Sequence, residues 1–205
     1  VEILAAEQTA EKEDEEKWYQ GTADAVRQNL ELGHFDANDD DLFVILSGDQ
    51  LYRMNFRDMV QQHQKLGSEV TVATKAVPVA SAKGLGLLRA NEDRSISEFV
   101  EKPEDPEVIR QLVFPDESSS ENAEQRCLAS MGIYVFNVGT LRRALESDHT
   151  DFGKEVIPAL LKEVAMHAYV FDGYWEDIGT VDAFFKANLK LADSREGFDF
   201  HDATK

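Results

Sequence analysis

Apolar and polar positions along this chain fall into blocks that predict strands and helices in alternation. Residues 1–6 are predicted to form a buried strand, and residues 42–46 are a continuous apolar run of strand length, of the kind found inside parallel sheets. The acidic segment 7–17 between them is predicted to be a solvated loop. A helix is predicted from Ala23 to Leu30, with Thr22 as its N-cap.

The remainder of the chain continues this alternation. Strand–helix–strand order predicts crossover connections, and therefore an α/β fold with a mostly parallel, Rossmann-like mixed sheet flanked by helices. Residues 103–125 are polar and are predicted to run over the surface. We predict strands at 69–76, 84–88, 96–100, 131–136 and 167–171, and helices at 51–66, 138–146, 154–162 and 181–191.

Composition restricts the class of protein. The 205 residues are 42% hydrophobic and 30% charged, which fits one soluble α/β domain. No apolar run approaches the roughly 20 residues that span a bilayer, and no signal segment opens the chain. We therefore predict a cytoplasmic protein without a membrane partner. The single cysteine, Cys127, cannot form an internal disulfide and is interpreted as a buried small hydrophobe.

The charge excludes one class of partner. Forty acidic residues against 21 basic ones give a net charge of −19, which would repel a phosphate backbone over most of the surface. We therefore do not expect nucleic acid as a partner. Small anionic substrates remain compatible where a lysine or a metal ion reverses the local field.

Asp49 is the first candidate for chemistry. It follows the apolar run 42–46 through Ser47 and Gly48, and the carboxyl end of a strand in an open α/β sheet is where ligands bind. A strand-end aspartate suits Mg²⁺, which prefers one or two carboxylates together with phosphate oxygens and water. The same spacing also fits an N-cap for the following helix, so both interpretations stay open.

Two further segments carry candidate residues. Asp177 lies directly before the predicted helix at 181–191, where either Asp177 or Thr180 could cap that helix. Glu101 and Lys102 form a charged pair at the end of a predicted strand. This pair fits a surface ion pair, and the lysine also fits a point charge for a sugar phosphate.

Two other sites are excluded. Asp151-Phe152-Gly153 matches the magnesium-binding triplet of kinases, but the chain has no His-Arg-Asp loop and no Gly-rich loop with a strand lysine. We predict that this triplet is a turn entering the next helix. The five histidines are scattered without the spacing of zinc ligands, so no zinc site is predicted.

Six segments in order resemble the glucose-1-phosphate adenylyltransferase family, also called the ADP-glucose pyrophosphorylases. They are residues 18–26, 46–54, 99–103, 129–134, 151–153 and 174–180. The resemblance runs from about residue 1 to Leu191. It implies the sugar nucleotidyltransferase fold and the reaction of ATP with glucose 1-phosphate to ADP-glucose and pyrophosphate, for glycogen or starch synthesis. It also implies Mg²⁺ as cofactor and a homo- or hetero-tetramer.

The same resemblance implies roles for individual residues. Asp49 and Asp177 would bind the magnesium and, with Lys102, form the catalytic set. Lys102 would hold the phosphate of glucose 1-phosphate, and Glu101 a sugar hydroxyl. The rest of the sugar-phosphate pocket would be Tyr19, Gly86 and Ser130. The residues near the adenine end of ATP would be Gln20, Gly21, Thr22 and Asp24, approached through free backbone amides at a helix start.

The chain departs from the family in several places. Gln50 stands where the family commonly has histidine, and Gly84-Leu85-Gly86 replaces the usual Ala-x-x-Phe-Gly. The family's Gly-rich triphosphate loop and its C-terminal left-handed β-helix domain do not occur in these 205 residues. We therefore expect 1–192 to be a partial catalytic domain, inactive by itself, and 193–205 the start of a linker.

Two other functions stay open from the sequence. One is a related sugar-1-phosphate nucleotidyltransferase that uses another nucleotide or another sugar. The other is a non-catalytic regulatory subunit of the same fold, although retention of Asp49, Lys102 and Asp177 favours a catalyst.

Overall fold

The structure is a computed structural model that describes residues 18–31, 33, 36–114 and 125–192. The strand predicted at 1–6, the loop predicted at 7–17 and the linker predicted at 193–205 lie outside the described residues. Within the described ranges, no helix is long and apolar enough to cross a membrane.

Helices and strands alternate along the described chain. Two irregular turns accompany them, a 3-10 turn at Val79–Ser81 and a π-helical turn at Phe152–Val156. The elements are α1 (Thr22–Glu31), β1 (Leu42–Ile45), β2 (Gln50–Tyr52), α2 (Phe56–Leu66), β3 (Val70–Pro78), β4 (Leu87–Ala90), β5 (Ile96–Val100), α3 (Pro106–Gln111), β6 (Val113–Phe114), β7 (Arg126–Asn137), α4 (Val138–Leu145), α5 (Ile157–Leu160), β8 (Met166–Val170), β9 (Trp175–Asp177) and α6 (Val181–Ala192).

The large sheet has the order β5-β4-β7-β3-β8, and β1 and β6 also pair with β7. The α/β class and the mixed sheet flanked by helices are confirmed. A predominance of parallel pairs is not found in the described part of the chain. There only β3 and β8 pair in parallel, because β7 runs antiparallel to β1, β3, β4 and β6.

The core lies on both faces of the central strands. Val70 and Val72 of β3 pack on one face with α1, α4 and α5 around Phe136 and Phe152. Ala73 faces the other side, where it packs with Met59 of α2 and with alternate residues of β7. Strand side chains alternate between faces, so this period of two builds both layers around β3 and β7. Cys127 is fully buried, as predicted.

A separate two-stranded ribbon, β2 paired with β9, was not predicted. The helix predicted at 51–66 begins only at Phe56, because the Asn55 side chain accepts a hydrogen bond from the Arg57 amide at 3.2 Å and caps it. That helix ends, as predicted, at Gly67 in the left-handed region with φ 62°. Because the helix starts at Phe56, the preceding residues Gln50–Tyr52 form the strand β2 instead.

Other predicted bounds differ in detail. The segment predicted as a surface excursion contains α3 and β6 within its described residues, and its residues 115–124 lie outside them. β7 extends well beyond the strand predicted at 131–136, and β4 begins at Leu87 rather than at Gly84. The helix predicted at 154–162 is a π-helical turn followed by the short α5.

Candidate active site

A cavity of about 470 Å³ opens beside the ribbon, a volume typical of small-molecule sites. Its walls come from α1, the β1–β2 connection, the segment before β4, the end of β5, the middle of β7, the segment 151–153 and the end of β9. The predicted site residues that line this cleft are Thr22, Asp49, Gly86, Glu101, Lys102, Ser130 and Asp177.

The ribbon places Asp49 and Asp177 together. Gln50 is directly opposite Asp177 in the register, and the Ile178 amide donates to the Asp49 carbonyl at 3.0 Å. A Cβ on Gly179 would lie 3.0 Å from Asp49 Oδ2 and 3.1 Å from Asp177 Oδ1. The two carboxylate oxygens are thus within about 6 Å of each other, a separation that one hard cation and its ligands can bridge.

Neither aspartate caps a helix. Asp49 precedes the strand β2, and its Oδ1 accepts a hydrogen bond from Ser47 Oγ at 2.5 Å. Asp177 Oδ1 accepts from the Gly179 amide at 2.8 Å. At α6 the cap is Thr180, whose Oγ1 accepts from the Ala183 amide at 3.1 Å. The capping alternative is therefore wrong for both aspartates.

The donor set fits magnesium better than a softer metal. In the described ranges, no group of three or more His, Cys, Asp or Glu side chains is arranged to hold a metal ion by itself. Mg²⁺ is commonly bound through one or two carboxylates, with phosphate oxygens and water completing the shell. Asp49 and Asp177, both exposed to the cleft, match that requirement.

Glu101 is held between two glycines on the opposite wall. A Cβ on Gly86 would lie 2.5 Å from Glu101 Oε2, and a Cβ on Gly153 would lie 2.8 Å from the same atom. Burial raises the pKa of Glu101, and the ammonium of Lys102 partly opposes this while Asp151 adds to it. The absence of side chains at both glycines therefore makes the space for this carboxylate.

Lys102 combines an exposed side chain with a strained backbone. Its Nζ is 3.8 Å from Glu101 Oε1, and 66% of the side chain is exposed. Its φ of 46° lies in the left-handed region, which non-glycine residues rarely adopt and which often marks functional positions. The pair is an ion pair, as one interpretation predicted, and its ammonium lines the cleft.

A bulge in β7 shapes the middle of the cleft. Tyr134 pairs with Val72 and Ser130 with Thr74, so three residues of β7 face one residue of β3. Gly132, inside the bulge, has φ 63°, and a Cβ there would lie 3.3 Å from Gln50 Nε2. The bulge thus lets the ribbon approach the sheet.

Ser130 is fixed by this bulge. Its amide donates to the Gly86 carbonyl at 2.7 Å, and its Oγ accepts from the Gly132 amide at 3.2 Å. Burial raises the pKa of the neighbouring Tyr134.

Sequence reasoning missed three residues of the cleft, Gly132, Tyr134 and Gly153. A glycine within an apolar strand pattern is the signal that could have identified Gly132.

Gln50 stands where the family that the sequence resembles commonly has histidine, and its side chain accepts a hydrogen bond within the protein. Its Oε1 accepts from Trp175 Nε1 at 3.1 Å, which joins the two strands of the ribbon. An amide satisfies this contact without a charge that titrates near neutral pH.

The start of α1 differs from the prediction. The amides of Ala23 and Asp24 donate to the Thr150 carbonyl at 2.8 and 3.1 Å, so they are already engaged within the protein. A Cβ on Gly21 would lie 2.3 Å from that same oxygen. Close packing against Thr150 therefore explains Gly21. The amides of Ala23 and Asp24 are not free for ATP, and the role of Gly21 near the nucleotide stays a prediction.

Gln20 and Asp24, predicted to lie near the nucleotide, and Tyr19, predicted in the sugar-phosphate pocket, are also held by protein contacts. Asp24 accepts from the Gln20 amide at 2.8 Å and pairs with Arg27 at 3.0 Å, and Asn29 Nδ2 donates to the Tyr19 hydroxyl at 3.0 Å. Of the described residues that line the cleft, none is Tyr19, Gln20, Gly21 or Asp24. Their assigned roles remain predictions that the geometry does not support.

The segment 151–153 joins α1 to the cleft. Asp151 Oδ1 accepts from the Lys154 amide at 2.8 Å and caps the π-helical turn, which confirms the predicted turn entering a helix. Thr22 Oγ1 donates to Asp151 Oδ2 at 3.3 Å and accepts from the Phe152 amide at 3.1 Å. Thr22 therefore fixes the segment whose Gly153 contacts Glu101.

One comparison with known proteins bears on this geometry. The model of the nucleotidyl transferase family matches residues 1–194, nearly the whole chain. The matched range includes every residue that lines the cleft.

Proposed function

We propose, from the premise that the chain belongs to the nucleotidyl transferase family, that it transfers the adenylyl group of ATP to glucose 1-phosphate. The products are ADP-glucose and pyrophosphate. The observation that carries the proposal is the placement of the Asp49–Asp177 pair and the Glu101–Lys102 pair in one cleft.

The reaction needs no protein nucleophile. An anionic phosphate oxygen of glucose 1-phosphate attacks the α-phosphorus, the bond from that phosphorus to the bridging oxygen breaks, and pyrophosphate leaves. Such transfers depend on positioning and on stabilisation of charge. The described lining residues include no histidine and no cysteine, which suits this chemistry.

The charge of the cleft supports a requirement for a cation. Among the described residues, four carboxylates line it against one ammonium, that of Lys102; the carboxylates are Asp49, Glu101, Asp151 and Asp177. This field would repel phosphates. Asp49 and Asp177 would hold Mg²⁺, which when bound neutralises charge on the phosphates.

The opposite wall suits a sugar phosphate. Lys102 provides a mobile, exposed ammonium for the phosphate. Glu101, confined between Gly86 and Gly153, is placed to accept a hydrogen bond from a sugar hydroxyl. Ser130, beside Gly86, adds a hydroxyl at the same wall.

The test compares nucleotides and sugar phosphates in one assay. Magnesium-dependent product formation by the intact protein, not by residues 1–192 alone, is measured with ATP, UTP, GTP or dTTP, each with glucose 1-phosphate or another sugar 1-phosphate, and binding is measured by calorimetry. We expect the highest kcat/KM with ATP and glucose 1-phosphate. A preference for another pair would identify a related sugar nucleotidyltransferase. Binding without turnover for every pair would favour a regulatory subunit.

A further inference from the structure

A half-buried lysine outside the cleft contacts the chain that leads to Asp177. Lys75 lies on β3 and is not among the described lining residues. Its Nζ donates to the carbonyls of Asp172 at 2.9 Å and Gly173 at 2.6 Å. The same ammonium lies 5.7 Å from the centroid of the Phe171 ring, within cation–π range.

The position of Lys75 in the sheet explains these contacts. β3 and β8 pair in parallel as far as Thr74 and Val170, and the Phe171 amide then donates to the Thr74 carbonyl at 2.8 Å. Beyond this point the chain leaves β3, and the next carbonyls need other donors. Lys75 is the next residue of β3, and it supplies donors to two of them.

The bend that Lys75 holds is tightly packed. A Cβ on Gly173 would lie 2.4 Å from Cζ of Phe171, so the bend closes over its own aromatic ring. Burial lowers the pKa of Lys75, while the charge of Asp172 opposes that shift. An ammonium that is partly removed from water needs hydrogen-bond acceptors, and the carbonyls of Asp172 and Gly173 in this bend provide them.

The bend leads directly into the ribbon. β9 follows Gly173 after one residue and ends at Asp177, and it pairs with β2 outside the large sheet. Its position relative to β3 therefore depends on how its connection to β8 is held. Lys75 attaches that connection to the central sheet.

We propose that Lys75 is a positioning residue that holds the β8–β9 connection and thereby keeps Asp177 beside Asp49. Its importance for catalysis rests on the proposed function, because that function uses the two aspartates. The positioning itself involves only residues of this chain.

Amide hydrogen exchange tests the positioning without any ligand. The 23.1 kDa chain is labelled with ¹⁵N, and exchange is followed at the Ile178 amide, which donates to the Asp49 carbonyl. Lys75→Met keeps most of the stem and removes the ammonium. We expect Ile178 to exchange about tenfold faster, because the ribbon opens more often once its connection is released.

Three comparisons make the result specific. In Lys75→Met, amides in the centre of β3 and β7 are expected to keep their exchange rates. Lys75→Arg is expected to restore slow exchange at Ile178. Lys162→Met, at an exposed lysine, is expected to leave the exchange rate of Ile178 unchanged. Unchanged exchange at Ile178 in Lys75→Met would overturn the proposal. Equal acceleration at every amide would also overturn it, because it would show only a loss of global stability.

A paramagnetic probe connects the positioning to the metal site. Mn²⁺ titrated into the unsubstituted chain is expected to broaden the Gly179 amide resonance, and Lys75→Met is expected to need several-fold more Mn²⁺ for the same broadening. No selective broadening in the unsubstituted chain would contradict the metal site of the proposed function. Hydrogen exchange at Ile178 would still decide the role of Lys75, so the two failures are distinguishable.

Discussion

Asp24 lies in the first turn of α1 and Asp177 is the last residue of β9. Both are close to a glycine, and they differ in what their carboxylates contact. Asp24 is 8% exposed and accepts hydrogen bonds from the Gln20 amide, from Gln28 and from Arg27. Asp177 is exposed and faces a second carboxylate, that of Asp49, across Gly179.

Under the proposed function, this difference separates a supporting residue, Asp24, from a binding residue, Asp177. Protein donors satisfy the Asp24 carboxylate, so it stabilises the start of α1 against the loop ending at Thr150. Two neighbouring carboxylates repel each other, and this repulsion disfavours the folded protein until a cation binds. We therefore expect substitutions at α1 to change stability, and substitutions at the ribbon to change activity.

The largest effect is expected at the ribbon. In the intact protein, Asp49→Asn or Asp177→Asn removes a charge from the proposed metal site, and we expect turnover to fall on the order of 10³-fold or more. The free energy of unfolding is expected to stay the same or rise slightly, because a repulsion is removed. Steady-state kinetics over a range of Mg²⁺ concentrations and urea unfolding measure both quantities. An unchanged rate would remove that aspartate from the metal site.

The second effect, at α1, is the opposite: we expect a loss of stability rather than a direct loss of turnover. Asp24→Ala leaves the Arg27 guanidinium, whose side chain is 16% exposed, without its carboxylate, and we expect the free energy of unfolding to fall by about 2–3 kcal/mol. Urea unfolding measures the change. Asp182→Ala is the matched control, since its pair with Lys186 is exposed and contributes little.

The contrast fails if Asp24→Ala is as stable as the unsubstituted protein and instead weakens nucleotide binding. That outcome would restore the nucleotide role that the family resemblance implies. Binding of ATP to the folded fraction, measured by calorimetry, separates the two cases.

The sequence predicted α1, β3, α4 and α6 to within two residues at each end, because their apolar periodicity extends over many residues. Of β7, the longest described strand, it predicted only 131–136. β2 and β9 have three residues each, too few for a periodic pattern, so the ribbon that joins Asp49 to Asp177 was missed. Family motifs nevertheless named both aspartates, although their roles stay predictions. The Asp24–Arg27 pair is local, because residues three apart lie on the same face of a helix. Motifs could not show that Arg27 would also donate to the carbonyls of Leu145 and Ser147, since that depends on tertiary packing.

The third prediction makes the same substitution at the wall of the cleft that holds Glu101 and at the start of α1. Gly153→Ala places a Cβ 2.8 Å from Glu101 Oε2, the end of a flexible side chain that can move aside at little cost in stability. We expect KM for the sugar phosphate to rise about tenfold, roughly the value of one displaced hydrogen bond to a charged group. Steady-state kinetics with a saturating nucleotide measure the change.

Gly21→Ala is the counterpart at α1. Its Cβ would lie 2.3 Å from a backbone oxygen, that of Thr150, so the helix start must shift. We expect a lower free energy of unfolding and an unchanged KM in the folded fraction. Equal effects of the two alanines on KM would show that the two regions are not separate.

The smallest effect concerns pH and belongs to the supporting part of the structure. His63 is 1% exposed, with Nδ1 2.8 Å from Thr71 Oγ1 and Nε2 3.0 Å from Asn137 Oδ1. Burial lowers the pKa of His63; the bond to Asn137 partly opposes this, and the charge of His167 adds to it. The folded protein therefore favours the neutral ring, in which one nitrogen donates and the other accepts.

The sign of the pH effect follows from this lowered pKa. Above the unfolded pKa of about 6.5, His63 is neutral in both states and stability does not change with its titration. Below that value the unfolded chain binds a proton that the folded chain excludes. The free energy of unfolding then falls by up to about 1.4 kcal/mol per pH unit until the folded pKa is reached. Urea unfolding at pH 7.5, 6.5 and 5.5 measures the slope, and His63→Gln is expected to reduce it. An identical slope in His63→Gln would assign the pH dependence to other groups.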